Sequence, residues 1–331
     1  MKRQAKILVV GSLVMDLIVR TERFPNAGET VLGIDYQTAP GGKGANQAVQ
    51  AARLGADVTM IGRIGTDDFG KRLKNACREA GVNTDQIEED AEVSSAIGNV
   101  QIETSPEGTQ NRIVVVSGAN MRICPEQVEN LKDTISEYDL VILQLEIPME
   151  INEIVAACAE KQGVPVMLNP APSAPVSDEL LSHLTYFAPN EHEAADYTGV
   201  HIRKDADGVN QEDAELAAKK LLDKGVKNVL ITMGDAGAII AGKDFSVYEP
   251  CVPDVKAVDP TAAGDSFIGA FGTAVCRGLD PGQALVFANH VAALTVSKMG
   301  AMPSLPDLKA VLDYLQKMGK KDLLKCMECW L

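Results

Sequence analysis

One stretch of this sequence could do chemistry at an anion: Val258-Asp259-Pro260-Thr261-Ala262-Ala263-Gly264-Asp265, running into Ser266-Phe267-Ile268-Gly269-Ala270-Phe271. It reads as an extended lead-in, a turn of small residues and a helix with apolar positions at Phe267, Ile268, Phe271 and Val275. The first N–H groups of a helix have no intrahelical partner and the helix dipole adds partial positive charge, so the spot suits an anion. Asp265 would repel that anion unless its carboxylate has another task, such as taking a proton from a hydroxyl beside a phosphate. An ordinary helix start, where Asp is favoured, accounts for the same residues. Pro260 has no N–H, so donors to a phosphate must come from 262 onward. Ala at 262 predicts a negative φ there, because left-handed backbone costs about 1–2 kcal/mol without glycine.

A second stretch, Ala39-Pro40-Gly41-Gly42-Lys43-Gly44-Ala45-Asn46, opens a helix through Leu54. Glycines around a lysine let a ligand approach the backbone, although a purely structural glycine turn reads the same way. The spacing is neither a P-loop, since Lys43 is followed by Gly44, nor the Rossmann fingerprint. Asp16 is a lone acid within Leu13–Val19, able to cap a turn or to accept bonds from ligand hydroxyls.

The elements that must position these residues alternate. Strands are predicted at 6–10, 58–62, 139–144, 164–169, 185–188, 227–232, 236–241 and near 245–249. Helices are predicted at 69–80, 125–136, 150–162, 190–198, 211–224, 264–277, 281–298 and 306 to about 318. Apolar, β-branched strands between helices give an α/β fold with a mostly parallel sheet covered on both faces. The segment 30–38 and the pair 95–103 and 111–117, a hairpin across Ser105-Pro106-Glu107-Gly108, break that alternation and suggest a small inserted sheet, a lid. Ligands of such sheets bind beyond the carboxyl ends of the strands, where Gln144, Glu146, Asn169, Asn190, Glu193, Thr232 and Gly234 stand.

The chain has 331 residues, 46% of them hydrophobic, enough for one large domain with an accessory piece. A net charge of −15 makes nucleic acid or an anionic membrane a poor partner, while local amides can still hold a nucleotide. No apolar run reaches the roughly 18 residues of a membrane span. Seven scattered cysteines suit a reducing cytoplasm. Cys326 and Cys329 have CxxC spacing without a second pair or nearby His, so the tail is expected to be frayed and exposed.

Several of these motifs recur together in one family. Gly41-Gly42-Lys43-Gly44-Ala45-Asn46-Gln47-Ala48, Gln144-Leu145-Glu146, Leu168-Asn169-Pro170-Ala171-Pro172, Asn190-Glu191-His192-Glu193, Ile231-Thr232-Met233-Gly234 and Asp259–Asp265 stand in order. From about residue 5 to 315 the chain resembles the ribokinase/phosphofructokinase-B carbohydrate kinases. The resemblance implies a three-layer α/β fold in one domain over 1–331, with lid strands inserted at about 12–40 and 95–118. It implies ATP-dependent phosphorylation of the 5-hydroxyl of D-ribose, with Asp265 as base and the amides of Ala262, Ala263, Gly264 and Asp265 as anion hole. A related sugar kinase, such as a deoxyribokinase, is the alternative, since Val14, Ile97 and Asn99 depart from common family residues near the sugar.

By the same resemblance Val14, Met15, Asp16, Gly42, Lys43, Gly44, Ala45, Asn46 and Glu146 are sugar-side residues. Asn190, Thr232, Met233, Gly234, Asp235, Ala236, Gly237, Gly264 and Asn289 are nucleotide-side residues. Asn190 and Glu193 are linked indirectly to Mg²⁺. Asp259, Thr261, Thr295, Lys298, Gly300 and Ser304 match a K⁺ site, several through backbone oxygen. Pairing of lid sheets implies a homodimer.

Overall fold

Side chains of the run Lys6–Val10 alternate between two apolar layers, Ile7 and Val9 facing one and Leu8 and Val10 the other. Only a strand with helices on both sides needs such a continuous apolar run. In the computed structural model, which describes residues 4–105, 108–205 and 208–330, this strand lies within a nine-stranded sheet. The spatial order is Phe245–Glu249, Ala238–Gly242, Asn228–Thr232, Tyr186–Phe187, Val166–Asn169, Leu140–Gln144, Lys6–Val10, Asp57–Gly65, Ile87–Asp90. All neighbours are parallel except Ala238–Gly242, which runs against both of its own. Helices Lys43–Arg53, Ala263–Cys276 and Pro281–Val296 cover the Ile7 face, and Met149–Lys161 and Gln211–Leu222 cover the other. The result is the three-layer α/β arrangement that the alternation predicts.

A separate four-stranded sheet, in the order Asp35–Gly41, Val14–Thr21, Ala96–Ser105, Gly108–Val116, grows from the carboxyl end of the Lys6–Val10 strand. Val14–Thr21 pairs antiparallel with Asp35–Gly41 and parallel with Ala96–Ser105. Asp16 therefore lies opposite Ala39 on one side and Gly98 on the other.

Several local expectations need correction. The strand expected at 30–38 begins only at Asp35 and runs to Gly41. Leu32 and Ile34, whose apolar character suggested a strand, are exposed instead. The expected helix 125–136 is two single turns, Pro125–Val128 and Leu131–Thr134, although Val128, Leu131 and Ile135 keep the buried spacing that suggested it. A short helix, Asp178–His183, capped by the Ser177 side chain, had no periodic signal. Pro106 and Glu107 of the expected hairpin turn lie outside the described residues.

The tail is not frayed, although Cys326 itself is exposed. Lys321–Cys326 is helical, and Leu323, Met327 and Trp330, spaced four and three residues apart, are buried. Trp330 packs edge-on against Phe287 at 5.3 Å, and the Arg277 guanidinium lies 4.4 Å over its ring. Arg277 Nη2 also donates to the Trp330 carbonyl at 3.0 Å. Truncating a buried aromatic of this kind costs about 3–5 kcal/mol. Trp330→Ala is therefore expected to lower the urea midpoint, followed by circular dichroism, while the slope stays unchanged; an unaltered midpoint would mean the tail contributes nothing.

Candidate active site

Helix Ala263–Cys276 begins with Ala262 at φ 60°, ψ 11°, in the left-handed region. The negative φ expected there is wrong. The reason is a tight turn: the Ala263 N–H donates to the Pro260 carbonyl at 3.2 Å, and the third position of such a turn takes positive φ. Alanine there costs about 1–2 kcal/mol. Preorganised donors aimed at a developing anion are worth about 3–4 kcal/mol each, more than the strain. The turn takes the Ala263 amide for itself, leaving those of Ala262, Gly264 and Asp265 without partners among the described residues. Gly264 is exposed, and a Cβ there would meet no protein atom within 4 Å, so the backbone is open to close approach.

Asp265 is buried one residue further on. Its Oδ2 accepts from Asn46 Nδ2 at 2.9 Å and its Oδ1 from Gln47 Nε2 at 3.1 Å. Asn46 Oδ1 is buried without a partner, an acceptor free for a ligand hydroxyl. The Glu146 carboxylate is tied by the Ser12 hydroxyl and by the Lys43 N–H at 3.1 Å. Burial alone would lower the Lys43 ammonium, but Asp265, Glu146 and Glu193 together hold it above its usual value. Burial, then Glu146 and Asp265, push the Asp16 carboxyl up to about 6. Asp16 lies where backbones pass closely: a Cβ on Gly98 would be 2.5 Å from its Oδ1, and one on Gly41 3.1 Å from its Oδ2.

Three cavities meet at the 260–265 turn. The largest, about 1000 Å³, lies under the small sheet and is lined by Val14, Asp16, Gly42, Lys43, Asn46, Glu146 and Asp265, with Asp259, Thr261 and Gly300 at one wall. The second, about 240 Å³, holds Lys43, Asn169, Asn190, Glu193, Thr232 and Ala262–Asp265. The third, about 550 Å³, is lined by Thr232, Gly234, Asp235, Gly237 and Asn289, with an apolar wall of Val252, Val255, Phe267, Ala292 and Val296.

Among the expected site residues, Met15, Gly44, Ala45, Met233 and Ala236 are not brought to these cavities. Met15 and Ala45 pack in one core layer and Met233 in the other, because alternate strand and helix positions turn inward. Ala236 packs at the edge of the latter layer. A Cβ on Gly44 would strike Ser12 N at 2.6 Å, and one on Gly42, at φ 95°, Val14 N at 2.6 Å. These two glycines thus serve the crossing of the chain over itself. Asn190 caps the Glu191–Thr198 helix, its Oδ1 accepting from His192 and Glu193 while Glu193 Oε2 accepts from the Asn190 N–H at 2.8 Å. Burial raises the Glu193 carboxyl despite that bond and Lys43.

Around Asp259 the loops are tied by its own carboxylate, Oδ1 to the Thr261 N–H at 2.9 Å and Oδ2 to the Gly300 N–H at 2.8 Å. Burial would raise this carboxyl, and the bonds to Thr261 and Gly300 hold it below the ordinary range. The Thr295 and Ser304 hydroxyls donate to the Val291 and Ala301 carbonyls, and the Lys298 side chain is exposed.

Residues 4–308 match the family described as pfkB family carbohydrate kinase. The chain belongs to this family of carbohydrate kinases. It is 39% identical over 312 residues to a ribokinase of Haemophilus influenzae, covering 94% of this chain and 98% of the relative. A deoxyribokinase of Salmonella typhi is 33% identical over 310 residues, covering 93% and 98%. The structure of Arabidopsis thaliana ribokinase complexed with ribose and ATP superposes with a TM-score of 0.85 at 34% identity, covering 95% of this chain and 99% of that one.

In this pfkB kinase, sequence reasoning gave no role to Ser12, Gln47 or Gly98. Gln47 stands inside the glycine-lysine motif, next to Asn46, which is the signal that could have found it. Ser12 is recognisable only from its hydroxyl on the Glu146 carboxylate, and Gly98 only from its close approach to the Asp16 side chain.

The raised carboxyl of Asp16 carries a stability consequence. A folded-state pKa above the unfolded value stabilises at low pH, and that contribution is lost as pH rises through about 6. Asp16→Asn is expected to raise the neutral-pH melting temperature of the ligand-free protein, by an amount that shrinks toward pH 4. Calorimetry across that range checks it; a melting temperature lowered at pH 7 would contradict it.

Proposed function

We propose that the protein transfers the γ-phosphoryl group of ATP to the 5-hydroxyl of D-ribose, giving D-ribose 5-phosphate and ADP. The observation that carries this reading is Asp265, whose buried carboxylate borders both the cavity under the small sheet and the one lined by unpartnered helix-start amides. Asp265 takes the proton of the hydroxyl as that oxygen attacks phosphorus, and ADP leaves from the opposite side. The amides of Gly264, Asp265 and Ala262, with Lys43, stabilise charge on the phosphoryl oxygens, the main demand of phosphoryl transfer.

Asp16, Asn46 and Glu146 accept hydroxyl hydrogen bonds, and Gly42 and Lys43 complete the sugar's surroundings. Thr232, Gly234, Asp235, Gly237 and Asn289 line the nucleotide side, where the apolar wall suits a purine face. The small sheet acts as a lid that excludes water from the transfer.

Among the described residues no cluster of three or more acidic, His or Cys side chains could hold a metal. The buried carboxylate of Glu193, beside Asn190, nevertheless fits Mg²⁺ held mainly by water and phosphate. When bound, Mg²⁺ offsets phosphate charge. Asp259 with neighbouring backbone oxygens of Thr261, Thr295, Gly300 and Ser304 offers the hard oxygen donors that K⁺ takes. The face of the small sheet turned away from the cavity exposes Val19, Tyr36, Val114 and Val116, which supports a homodimer formed through this sheet. The free cysteines support a cytoplasmic setting.

A deoxyribokinase is the second reading, favoured by Val14, an apolar side chain in the sugar cavity. A coupled assay over ribose, deoxyribose, fructose and xylose, with and without K⁺, separates the two; no ADP above background with any sugar would end the kinase reading. Asp265→Asn is expected to abolish turnover while ATP binding by calorimetry stays nearly unchanged; a substantial surviving kcat would exclude Asp265 as base. Light scattering is expected to report a dimer for the native chain and a monomer for Val114→Asp; a native monomer would overturn the assembly.

A further inference from the structure

The base is held from behind as well as from the sugar side. Gln47 Nε2 donates to Asp265 Oδ1 at 3.1 Å and to Asn169 Oδ1 at 3.2 Å. Asn169 commits its own Nδ2 to the Ala188 carbonyl at 2.9 Å, so it presents oxygen to Gln47. Two acceptors on one side leave the Gln47 amide a single orientation, nitrogen toward the carboxylate. Its Oε1 then faces away and accepts from Gln144 Nε2 at 2.8 Å.

Gln144 is oriented in turn. Its nitrogen is committed to Gln47, so its Oε1 lies on the opposite side, against Gly11. A Cβ on Gly11 would stand 1.9 Å from that oxygen, closer than any atoms can approach, so only glycine admits this rotamer. The Gln144 carbonyl accepts from Asn152 Nδ2 at 2.9 Å. Gln47, Gln144 and Asn152 are fully buried, and neither glutamine lines a described cavity. They cannot touch a substrate, and the side-chain bonds from Gln144 through Gln47 reach Asp265 and Asn169.

The geometry points to Gln47 and Gln144 as positioning residues that orient the Asp265 carboxylate for proton abstraction, with Gly11 providing the space that Gln144 needs. The inference rests on the reading of Asp265 as base. A carboxylate anchored at one oxygen can turn about its last bond, and anchoring both oxygens fixes the lone pair offered to the hydroxyl. Displacements of about 1 Å in such groups cost about 10²-fold in rate.

The test compares Gln144→Leu, Gln47→Leu, their double variant and Gln47→Glu with the native enzyme in steady-state assays over pH. Gln144→Leu and Gln47→Leu are each expected to lower kcat by about 10–100-fold with little change in KM for sugar or ATP. The double variant should lose no more than the stronger single one, because both act through one carboxylate; independent packing defects would multiply. Gln47→Glu keeps the shape and sets a second carboxyl against Asp265, so the acid limb of the kcat profile should move upward by about one unit or more. If the leucine variants fail to fold, that limb decides. Native kcat in both leucine variants, multiplicative losses, or an unmoved limb in Gln47→Glu would each overturn the inference. Asp265→Asn run alongside separates the levels: activity surviving there fails the base assignment, whereas activity lost there with indifferent glutamine variants fails the positioning alone.

Discussion

One buried ammonium stands against an excess of carboxylates, and the site depends on that imbalance. Lys43 faces Asp265, Glu146 and Glu193, while Asp16 is pushed up by burial and by two of the same neighbours. Charges of like sign in a low-dielectric pocket repel strongly unless their oxygens are hydrogen-bonded. The chain meets this by tying Glu146 to Ser12 and a backbone N–H, Glu193 to the Asn190 N–H, and Asp265 to two amide side chains.

The glycines around this charge cluster do two different jobs. Gly42 and Gly44 let the start of a helix pass within contact distance of residues 11–14. That crossing brings Lys43 and Asn46 over the end of the first strand, so the lysine-bearing turn is as much a packing device as a ligand cradle. Gly264 crowds nothing in the protein. Its missing side chain matters only to what approaches from outside, which separates a recognition glycine from a folding one.

Much of this was legible in the sequence. Alternating apolar strands and periodic helices specified the layered sheet, and polar residues at strand ends marked the edge where the cavities lie. The positive φ of Ala262 was not legible, because propensity alone disfavours it and only the closing bond to Pro260 demands it. Nor was the inward turn of Met15, which depends on register in a sheet whose pairing is long-range. The docked tail was readable in principle from Leu323, Met327 and Trp330, but CxxC spacing drew attention to the wrong residues. Gln47 and Gln144 both stand in legible motifs, but their contact behind Asp265 was hidden for a simpler reason: they are separated by nearly a hundred residues and meet only in the folded chain.

The tail gives the molecule an optical property. Trp330 is the only tryptophan in the chain. It rests on Phe287, from the helix that also carries Asn289, and beneath Arg277, at the end of the helix that begins at the 260–265 turn. Its emission is therefore a native reporter seated on both helices that line the 550 Å³ cavity, free of background from any other indole. Displacement of either helix alters the ring's surroundings, so ligand-driven motion can be followed in the unlabelled protein.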